Sequence, residues 1–274
     1  MFRQILSLTV FFLTLSGDVL GQKNPLRISG TVPINDSTFM KSTEVTVKDW
    51  IEYIVNNNFD TTLFPIKKGL PETISLIFDD LKKIQEQKYL HLEKQSIMQY
   101  DYNNLITVKP TASLNALFKN DTSDITINIP ITGITFEQAL NFCDWKAQIL
   151  NTKKTPKVKL SLPTVDIYKN VIPNKDSLNQ KKCALFNWAL CNCVSVNKKY
   201  NKSQGKSLLR VDSYWPSDLG LYNLQGNASE MTSTKGIAIG GSFRHTARES
   251  YNDRIQEYTK PEDWLGFRYI VTLK

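Results

Sequence analysis

The sequence predicts an α+β protein, because amphipathic helices are indicated in its N-terminal half and short strand-like runs in its C-terminal part. The chain has 274 residues, of which 41% are hydrophobic and 22% are charged, an ordinary globular composition. That composition excludes a disordered chain, a collagen-like repeat and a coiled coil. Beyond Pro156 the sequence becomes rich in Gly, Asn, Ser and Lys, so long ordered loops are expected there.

Two helices are predicted before the middle of the chain. The first spans Glu44 to Asn56, where Thr46 and Asp49 form an acidic capping box ahead of an apolar face. The second spans Pro71 to Gln87, because proline favours the first helical turn and apolar residues follow at three- and four-residue spacing. Core packing explains the apolar face of this second helix better than a partner groove does.

A third helix and two strands are predicted farther along the chain. The helix begins at a capping box formed by Thr135 and Gln138. Its predicted apolar face consists of Ala139, Leu140, Cys143, Ala147 and Leu150. Short alternating runs predict strands within Gly236 to Phe243 and within Phe267 to Leu273.

Residues 1–21 are predicted to be a secretory signal peptide. Arg3 precedes an apolar run from Ile5 to Leu15, and small or apolar residues stand before Gln22. The run is far shorter than the roughly 20 residues of a spanning helix, so no transmembrane segment is expected after cleavage. No cysteine stands at the cleavage point to carry a lipid. The mature protein is therefore expected in the periplasm or outside the cell.

Charge and cysteine content restrict the chemistry. The sequence has 34 Lys and Arg against 26 Asp and Glu, and the net charge of +8 favours anionic surroundings. Nucleic acid is not an expected partner of an exported protein. A zinc hydrolase is not expected, because its site would need nearly all of the four cysteines and two histidines in one place. The cysteines allow disulfides in three connectivities, all left open by the sequence. They are Cys143, Cys183, Cys191 and Cys193.

The run from Gly220 to Glu230 resembles the GLYNxxGNxWEW signature of the formylglycine-generating enzyme, or sulfatase-modifying factor, family. Further blocks resemble the family in the same order. Phe39 to Thr46 is similar to its E-V-T opening, and Ile129 to Cys143 to its P-V-x-x-V-S-W-x-D-A…Y-C block. Leu162 to Thr164 matches the start of its L-P-T-E-A-E-W-E block.

The C-terminal part is similar to the family's R-G-G-S…A-R-S…I-G-F-R ending. The matching pieces are Gly240 to Phe243, Ala247-Arg248 and Leu265 to Arg268. The resemblance implies a compact α+β domain of the formylglycine-generating-enzyme type, related to C-type lectins, with short strands, about three helices and long ordered loops. We assign this domain to residues 39–274 and an N-terminal extension to residues 22–38.

For active family members the resemblance implies copper- and oxygen-dependent oxidation of a substrate cysteine to formylglycine. Two cysteines between the G-G-S and A-A-R-S pieces would hold Cu(I), a metal that prefers soft thiolates. In this chain the interval Phe243 to Ala247 contains only Arg244, His245 and Thr246, and no cysteine follows Cys193. Copper is therefore not expected.

The sequence departs from the family pattern elsewhere too. Ser229 and Met231 replace the tryptophans of the W-E-W piece. Tyr269 stands where many members have a structural cysteine, which leaves Cys143 without that partner.

The resemblance implies a structural calcium site. Its ligands would be the side chain of Asn223, the backbone carbonyls of Gly226 and Ala228, and the carboxylate of Glu230. Calcium takes six to eight hard oxygen ligands, which this set could begin to supply. The alternative is that Asn223 and Glu230 only bond loop amides. A second family site is implied in part at Asn187.

A partner-binding cleft is predicted where the cysteine insert is missing. Arg244, His245, Arg248 and Arg254 could meet a protein or an anionic glycan there, because guanidinium groups suit carboxylate and phosphate. The alternative is that the arginines pair with acidic neighbours. These neighbours are Glu249, Asp253, Glu257 and Glu262.

Two function classes follow from these observations. The first is an exported, non-catalytic binding or structural module of the cell envelope, because relatives without the cysteines occur in gliding-motility and type IX secretion machinery. The second is an enzyme, either a formylglycine-generating oxidase that uses relocated thiols to act on a sulfatase cysteine, or another oxidase on the same fold. The missing insert favours the first class. The fold alone does not distinguish the two classes, because one fold hosts many functions.

Overall fold

The computed structural model describes residues 28–58, 60–66, 74–79, 81–82, 127–152, 157–172, 207–251 and 253–274. Within these residues, helices pack beside two small sheets, which confirms the predicted α+β class. The predicted signal peptide, Asn187 and every cysteine except Cys143 lie outside the described residues. No helix in the described ranges is long and apolar enough to cross a bilayer.

Helix α1 spans Val47–Asn56, so it begins later than the sequence predicts. Its N-cap is Thr46, whose Oγ1 accepts the Asp49 N–H at 3.0 Å, while the Asp49 carboxylate accepts the Thr46 N–H at 2.9 Å. The capping box is therefore confirmed. Helix α1 does not begin at Glu44 because the chain before Thr46 is extended and hydrogen-bonds to another segment. The Val45 N–H donates to the carbonyl of Phe267.

Helix α2 spans Phe136–Asn151, and its capping box between Thr135 and Gln138 is confirmed. The predicted apolar face was wrong at Leu140, which is 37% exposed, whereas Phe142 is buried. Residues two apart lie on nearly opposite faces of an α-helix, so the orientation that buries Phe142 turns Leu140 outward.

The described residues contain further helical segments, among them a short 3-10 helix at Thr61–Leu63. Helix α3 spans Val165–Val171 behind its N-cap Thr164, and the sequence analysis did not predict it. Residues 74–79 and 81–82 are helical and lie inside the predicted helix from Pro71 to Gln87. Their apolar side chains Ile74, Phe78 and Leu81 are buried. The remainder of that predicted helix lies outside the described residues.

The short strands form two sheets. Strands β1 (Thr31–Pro33), β2 (Thr38–Lys41), β3 (Val158–Ser161) and β8 (Ile270–Leu273) form the first sheet, in the order β1-β2-β8-β3. Strands β4 (Ser229–Met231), β5 (Ile237–Ile239), β6 (Ile255–Glu257) and β7 (Leu265–Gly266) form the second, in the order β6-β5-β4-β7. The two predicted strands are confirmed as β5 and β8, which are shorter than the runs that indicated them.

The first sheet joins the two ends of the described chain. Strand β8 lies between β2 and β3 and is antiparallel to both, with Val271 opposite Phe39 on one side and Leu160 on the other. Strand β1, which lies within the segment 22–38 assigned above to an N-terminal extension, is antiparallel to β2.

An aromatic core lies between α1, α2 and the segment after β7. The Trp50 ring stacks on Phe142 at 5.5 Å between centroids and meets Phe267 edge-on at 6.1 Å. The Trp50 indole N–H donates to the Leu63 carbonyl at 3.0 Å, so its polar atom is satisfied inside the core. This core fixes the position of Arg268, the residue that follows Phe267.

Candidate buried polar site

The loop from Gly220 to Ala228 turns through several left-handed residues. Asn223 has φ 49°, Gly226 has φ 80° and Asn227 has φ 60°. Asparagine and glycine are the residues that adopt this conformation most readily. Asn223 is 4% exposed and Asn227 is fully buried, so both amides face the interior.

Glu44 meets these two amides from the opposite side. It lies between β2 and the N-cap of α1, and it is fully buried. Its Oε1 accepts an N–H from Asn227 Nδ2 at 2.9 Å, and its Oε2 accepts one from Asn223 Nδ2 at 3.4 Å. Asn227 is also anchored to the backbone of Leu209, because its Oδ1 accepts the Leu209 N–H at 2.9 Å.

Arg268 binds the second buried carboxylate of the site. Parallel pairing of β4 with β7 places Glu230 opposite Gly266, close to Arg268. The Arg268 Nε–H and one Nη2–H donate to the two oxygens of Glu230, each at 2.6 Å. The Tyr168 hydroxyl, on α3, donates to Glu230 Oε2 at 2.6 Å. Glu230 is therefore held by a guanidinium and a phenol at once.

The remaining donors of Arg268 bond to the backbone. The carbonyls of Lys41 and Ser42 accept from Nη1 at 3.2 Å, and the carbonyl of Tyr222 accepts from Nη2 at 2.7 Å. With the two bonds to Glu230, all five N–H groups of this guanidinium are used. Arg268 thus ties β4, the chain after β2 and the loop before Asn223 together.

The charges of this site do not balance when both carboxyl groups are ionised. Glu44 and Glu230 then carry two negative charges against the one positive charge of Arg268. Burial raises the pKa of Glu44 to about 8, Arg268 opposes the rise, and repulsion by Glu230 adds to it. Burial, followed by the Glu230 charge, also raises the pKa of the Tyr168 phenol, so Tyr168 stays a hydrogen-bond donor.

The calcium ligands implied by the family resemblance fit this geometry only in part. Asn223 Oδ1 is buried and has no hydrogen-bond partner, as expected of an atom that ligates an ion. Both oxygens of Glu230, the predicted carboxylate ligand, already accept hydrogen bonds from Arg268, and one of them also accepts from Tyr168. Gly226 and Ala228 lie in the same loop, and Ala228 is 1% exposed. No cluster of three or more His, Cys, Asp or Glu in the described ranges could hold a metal.

The turn from Gly240 to Ala247 lies where the family resemblance places two thiols. In this chain it contains a contact between a serine and a histidine. Ser242 Oγ lies 2.7 Å from His245 Nδ1 and accepts the Arg244 backbone N–H at 3.1 Å. The His245 ring also packs edge-on against Trp264, with 5.0 Å between centroids. Burial lowers the pKa of His245. These contacts stabilise the turn.

The predicted partner-binding arginines lie around this turn. Arg244 forms a bidentate ion pair with Asp263 and Arg254 lies 3.6 Å from Asp253, and both arginines are more than half exposed. Arg248 is exposed. The alternative pairing with acidic neighbours is thus observed for Arg254 with Asp253, whereas Arg244 pairs with Asp263, which lies outside the predicted set.

The cysteine that the structure describes is buried. Cys143, on α2, is a free thiol, and burial raises its pKa above the ordinary range. Tyr269, which replaces the family's structural cysteine, is also buried and close enough to Cys143 that its own pKa is raised by burial, Asp49 and Cys143. The phenol thus occupies space near the thiol without bonding covalently to it.

The sequence analysis assigned no role in this site to Glu44, Asn227, Arg268 or Tyr168. Each stands in a block that resembles the family, so the sequence did mark these positions. Nothing in the sequence, however, indicated that they contact one another. Glu44 and Asn227 are 183 positions apart, and Arg268 and Glu230 are 38 apart. Only the folded chain brings them together.

The described residues form an α+β domain with two small sheets, few helices and many ordered loops. This domain contains the buried polar site of carboxyl, amide and guanidinium groups. The family model for the sulfatase-modifying factor enzyme 1-like domain matches residues 29–273, and this chain belongs to that family. The resemblance stated from the motifs is thereby confirmed. A comparison with curated proteins finds no match.

Several solved structures are similar to this chain. Treponema denticola variable protein 1 is 14% identical, with 90% of this chain and 92% of that chain covered at a TM-score of 0.50. PvdO from Pseudomonas aeruginosa is 10% identical, with 86% and 80% covered at a TM-score of 0.49. CarF is 19% identical, with 53% and 68% covered at a TM-score of 0.39. At such identity the first match supports the fold and says nothing about function.

Proposed function

We propose that this protein is an exported, non-catalytic binding or structural module of the cell envelope, a pseudoenzyme of its family. One observation carries the proposal. The turn from Phe243 to Ala247 contains Arg244, His245 and Thr246 where the family reaction would need thiolates, and the sequence has no cysteine after Cys193. A net charge of +8 suits an anionic partner at the envelope.

The contacts of Ser242 and His245 favour a structural role for this pair over a catalytic one. A serine nucleophile must reach its substrate, but Ser242 is fully buried. Its hydroxyl also accepts the Arg244 N–H, which fixes the oxygen within the turn. The pair therefore supports the turn and does not replace the missing thiol chemistry.

The partner is proposed to contact the exposed face of the same turn. Arg248 is exposed there. The ion pair between Arg244 and Asp263 is also exposed, so breaking it costs little free energy. A carboxylate or sulfate of an envelope glycan, or an acidic protein surface, could then bind these guanidinium groups in bidentate fashion. Machinery of the gliding or type IX secretion kind is the assembly we propose.

The absence of catalysis is tested by incubating the purified protein with copper, oxygen and a sulfatase-derived cysteine peptide. We expect the thiol peptide to keep its mass. An active family member serves as the positive control. If the peptide incubated with this protein gained the aldehyde, the proposal would be overturned and the oxidase function would be supported instead.

Export and binding are tested separately. Intact-mass analysis of the protein from its own host should show a mature chain that starts at Gln22. For binding, Arg244→Ala combined with Arg248→Ala should weaken capture of the envelope partner, while Lys235→Ala, an exposed cation on another turn, should not. Equal capture by all three proteins would rule out this face as the contact.

A further inference from the structure

Strand β6 forms one edge of the second sheet. It is antiparallel to β5, with Glu257 opposite Ile237. Just beyond β6, the Tyr258 N–H donates to the Gly236 carbonyl at 2.9 Å. In an antiparallel pair, residues that hydrogen-bond across the pair alternate with residues that do not. Ile255 and Glu257 therefore direct their N–H and C=O groups away from β5, toward the edge of the sheet.

This edge is open to solvent. Ile255 is 49% exposed and Glu257 is exposed, whereas Gln256 between them is buried. Within the described ranges, no hydrogen bond reaches the outward N–H or C=O group of either exposed residue, and the Glu257 carboxylate has no ion-pair partner. A strand edge with free backbone groups is a template on which another strand can pair.

The other sheet edges in the described part of the chain are closed. The outward residues of β1 are Thr31, whose N–H donates to the Ile28 carbonyl, and Pro33, which has no N–H. On β3 the Asn151 side chain bonds both the N–H and the C=O of Val158. Strand β7 is buried. Among these edges, β6 is the one that combines free outward N–H groups with exposure.

We propose that β6 binds an extended segment of a partner protein, which pairs antiparallel with it and adds a fifth strand to the second sheet. The segment carries a Lys or Arg opposite Glu257 and an apolar residue opposite Ile255, two positions away. Opposite charges and apolar side chains that face each other across a strand pair stabilise it. The proposal goes beyond the proposed function, because it concerns a cationic segment at a strand edge and not an anionic partner at the turn around Arg244.

A second copy of this chain fits the edge less well. Asp253, two residues before Ile255, is exposed, as is Glu257. Antiparallel self-pairing centred on Ile255 brings Asp253 toward Glu257 of the other copy, and self-pairing centred on Glu257 sets two glutamates opposite each other. Centred on Gln256, it leaves the two Glu257 side chains as diagonal neighbours. Like charges at such positions destabilise a sheet, so charge favours a cationic partner over self-association.

The first experiment measures amide hydrogen exchange of the mature protein by NMR, with and without a synthetic peptide that alternates Thr with Val and Lys. In a strand, the Val and Lys of this peptide lie on one face, two positions apart. In the free protein, the Ile255 and Glu257 N–H groups should exchange faster than the hydrogen-bonded Tyr258 N–H. The peptide should slow exchange at Ile255 and Glu257 and leave the amides around Arg244 unchanged.

A matched peptide separates backbone pairing from attraction by charge. It has the same sequence but is N-methylated at the residues whose N–H groups would donate to β6, so it keeps every charge and loses those donors. We expect it to bind at least about tenfold more weakly, because the outward carbonyls of β6 would lose their donors.

Variants of β6 test the same contact from the protein side. Ile255→Pro removes an outward N–H without removing a bond to β5, and Ile255→Thr is the matched control that keeps this N–H. The proline variant should weaken peptide binding by about tenfold, because one hydrogen bond of the ladder is lost. Glu257→Gln should weaken it by about two- to fivefold, the effect of one cross-strand pair. Asp218→Asn, at an exposed carboxylate outside the sheets, should bind like the unmodified protein.

Three results would overturn the proposal. One is unchanged exchange at Ile255 and Glu257 in millimolar peptide. Another is equal affinity for the plain and N-methylated peptides, which would reduce the binding to charge attraction; this comparison also decides if Ile255→Pro does not fold. The third is a dimer in sedimentation that the Ile255→Pro change dissociates, because the occupant of the edge would then be a second copy.

Discussion

The buried site around Arg268 and the turn around Arg244 use the same type of side chain for opposite purposes. Arg268 is fully buried and donates five hydrogen bonds that join separate segments. Arg244 is 54% exposed and pairs with Asp263 at the surface. A buried ion pair loses much when one partner is removed, whereas an exposed pair contributes little. The first region therefore holds the domain together, whereas the ion pair of the second contributes little to its stability.

The largest expected effect comes from removing the buried guanidinium. Arg268→Ala should lower the free energy of unfolding by about 3–5 kcal/mol, because it leaves Glu230 buried without its counter-ion. Arg244→Ala should lower it by about 0–1 kcal/mol. Urea denaturation of both variants measures the difference. Equal losses would show that the two regions do not differ as their burial indicates.

An intermediate effect is expected where the loop of the buried site packs on the start of the turn. Gly240 has φ 90°, and a Cβ there would lie 2.8 Å from the Leu224 carbonyl oxygen. Gly30, with φ 72°, has nothing within 4 Å of that position and is the matched control. Gly30→Ala should lose about 1–2 kcal/mol from the left-handed backbone alone. Gly240→Ala should lose about 1–3 kcal/mol more, because the backbone must shift.

That prediction is checked by thermal unfolding of both glycine variants side by side. Similar losses in the two would mean that the loop can move away from Gly240. The contact between Leu224 and Gly240 would then not couple the two regions.

The smallest expected effect is a pH dependence of protein stability that arises from His245 in the turn around Arg244. Burial lowers the pKa of His245 in the folded protein, although Glu249 opposes the shift. As pH falls below about 6.5, the unfolded chain takes up this proton before the folded one does. The contribution of neutral His245 to stability is therefore present above that pH and is lost as pH falls through the lowered pKa.

We expect the unfolding temperature of the unmodified protein to fall between neutral and mildly acidic pH more than that of His245→Gln. Other titrating groups are common to both proteins, so the difference isolates His245. Parallel curves would mean that the imidazole titrates alike in the folded and unfolded chain.

Local signals in the sequence determined much of this protein. The capping boxes at Thr46 and Thr135 fixed where α1 and α2 begin, because a cap satisfies backbone N–H groups within three residues of itself. Ordered motif blocks indicated the family, which the match over residues 29–273 confirms. The calcium ligands and the partner-binding arginines stay predictions.

The tertiary structure alone decided which polar groups meet. Hydrophobic periodicity shows which face of a helix is buried, but it does not show which acid a distant arginine will bind. Insertion of β8 between β2 and β3 carries Arg268 to the chain after β2, and the parallel pairing of β4 with β7 places Glu230 beside it. Burial then makes that pairing obligatory, since an unpaired charge in the interior is too unfavourable to persist. Glu44 is left facing Asn223, a consequence of long-range packing that no local spacing records.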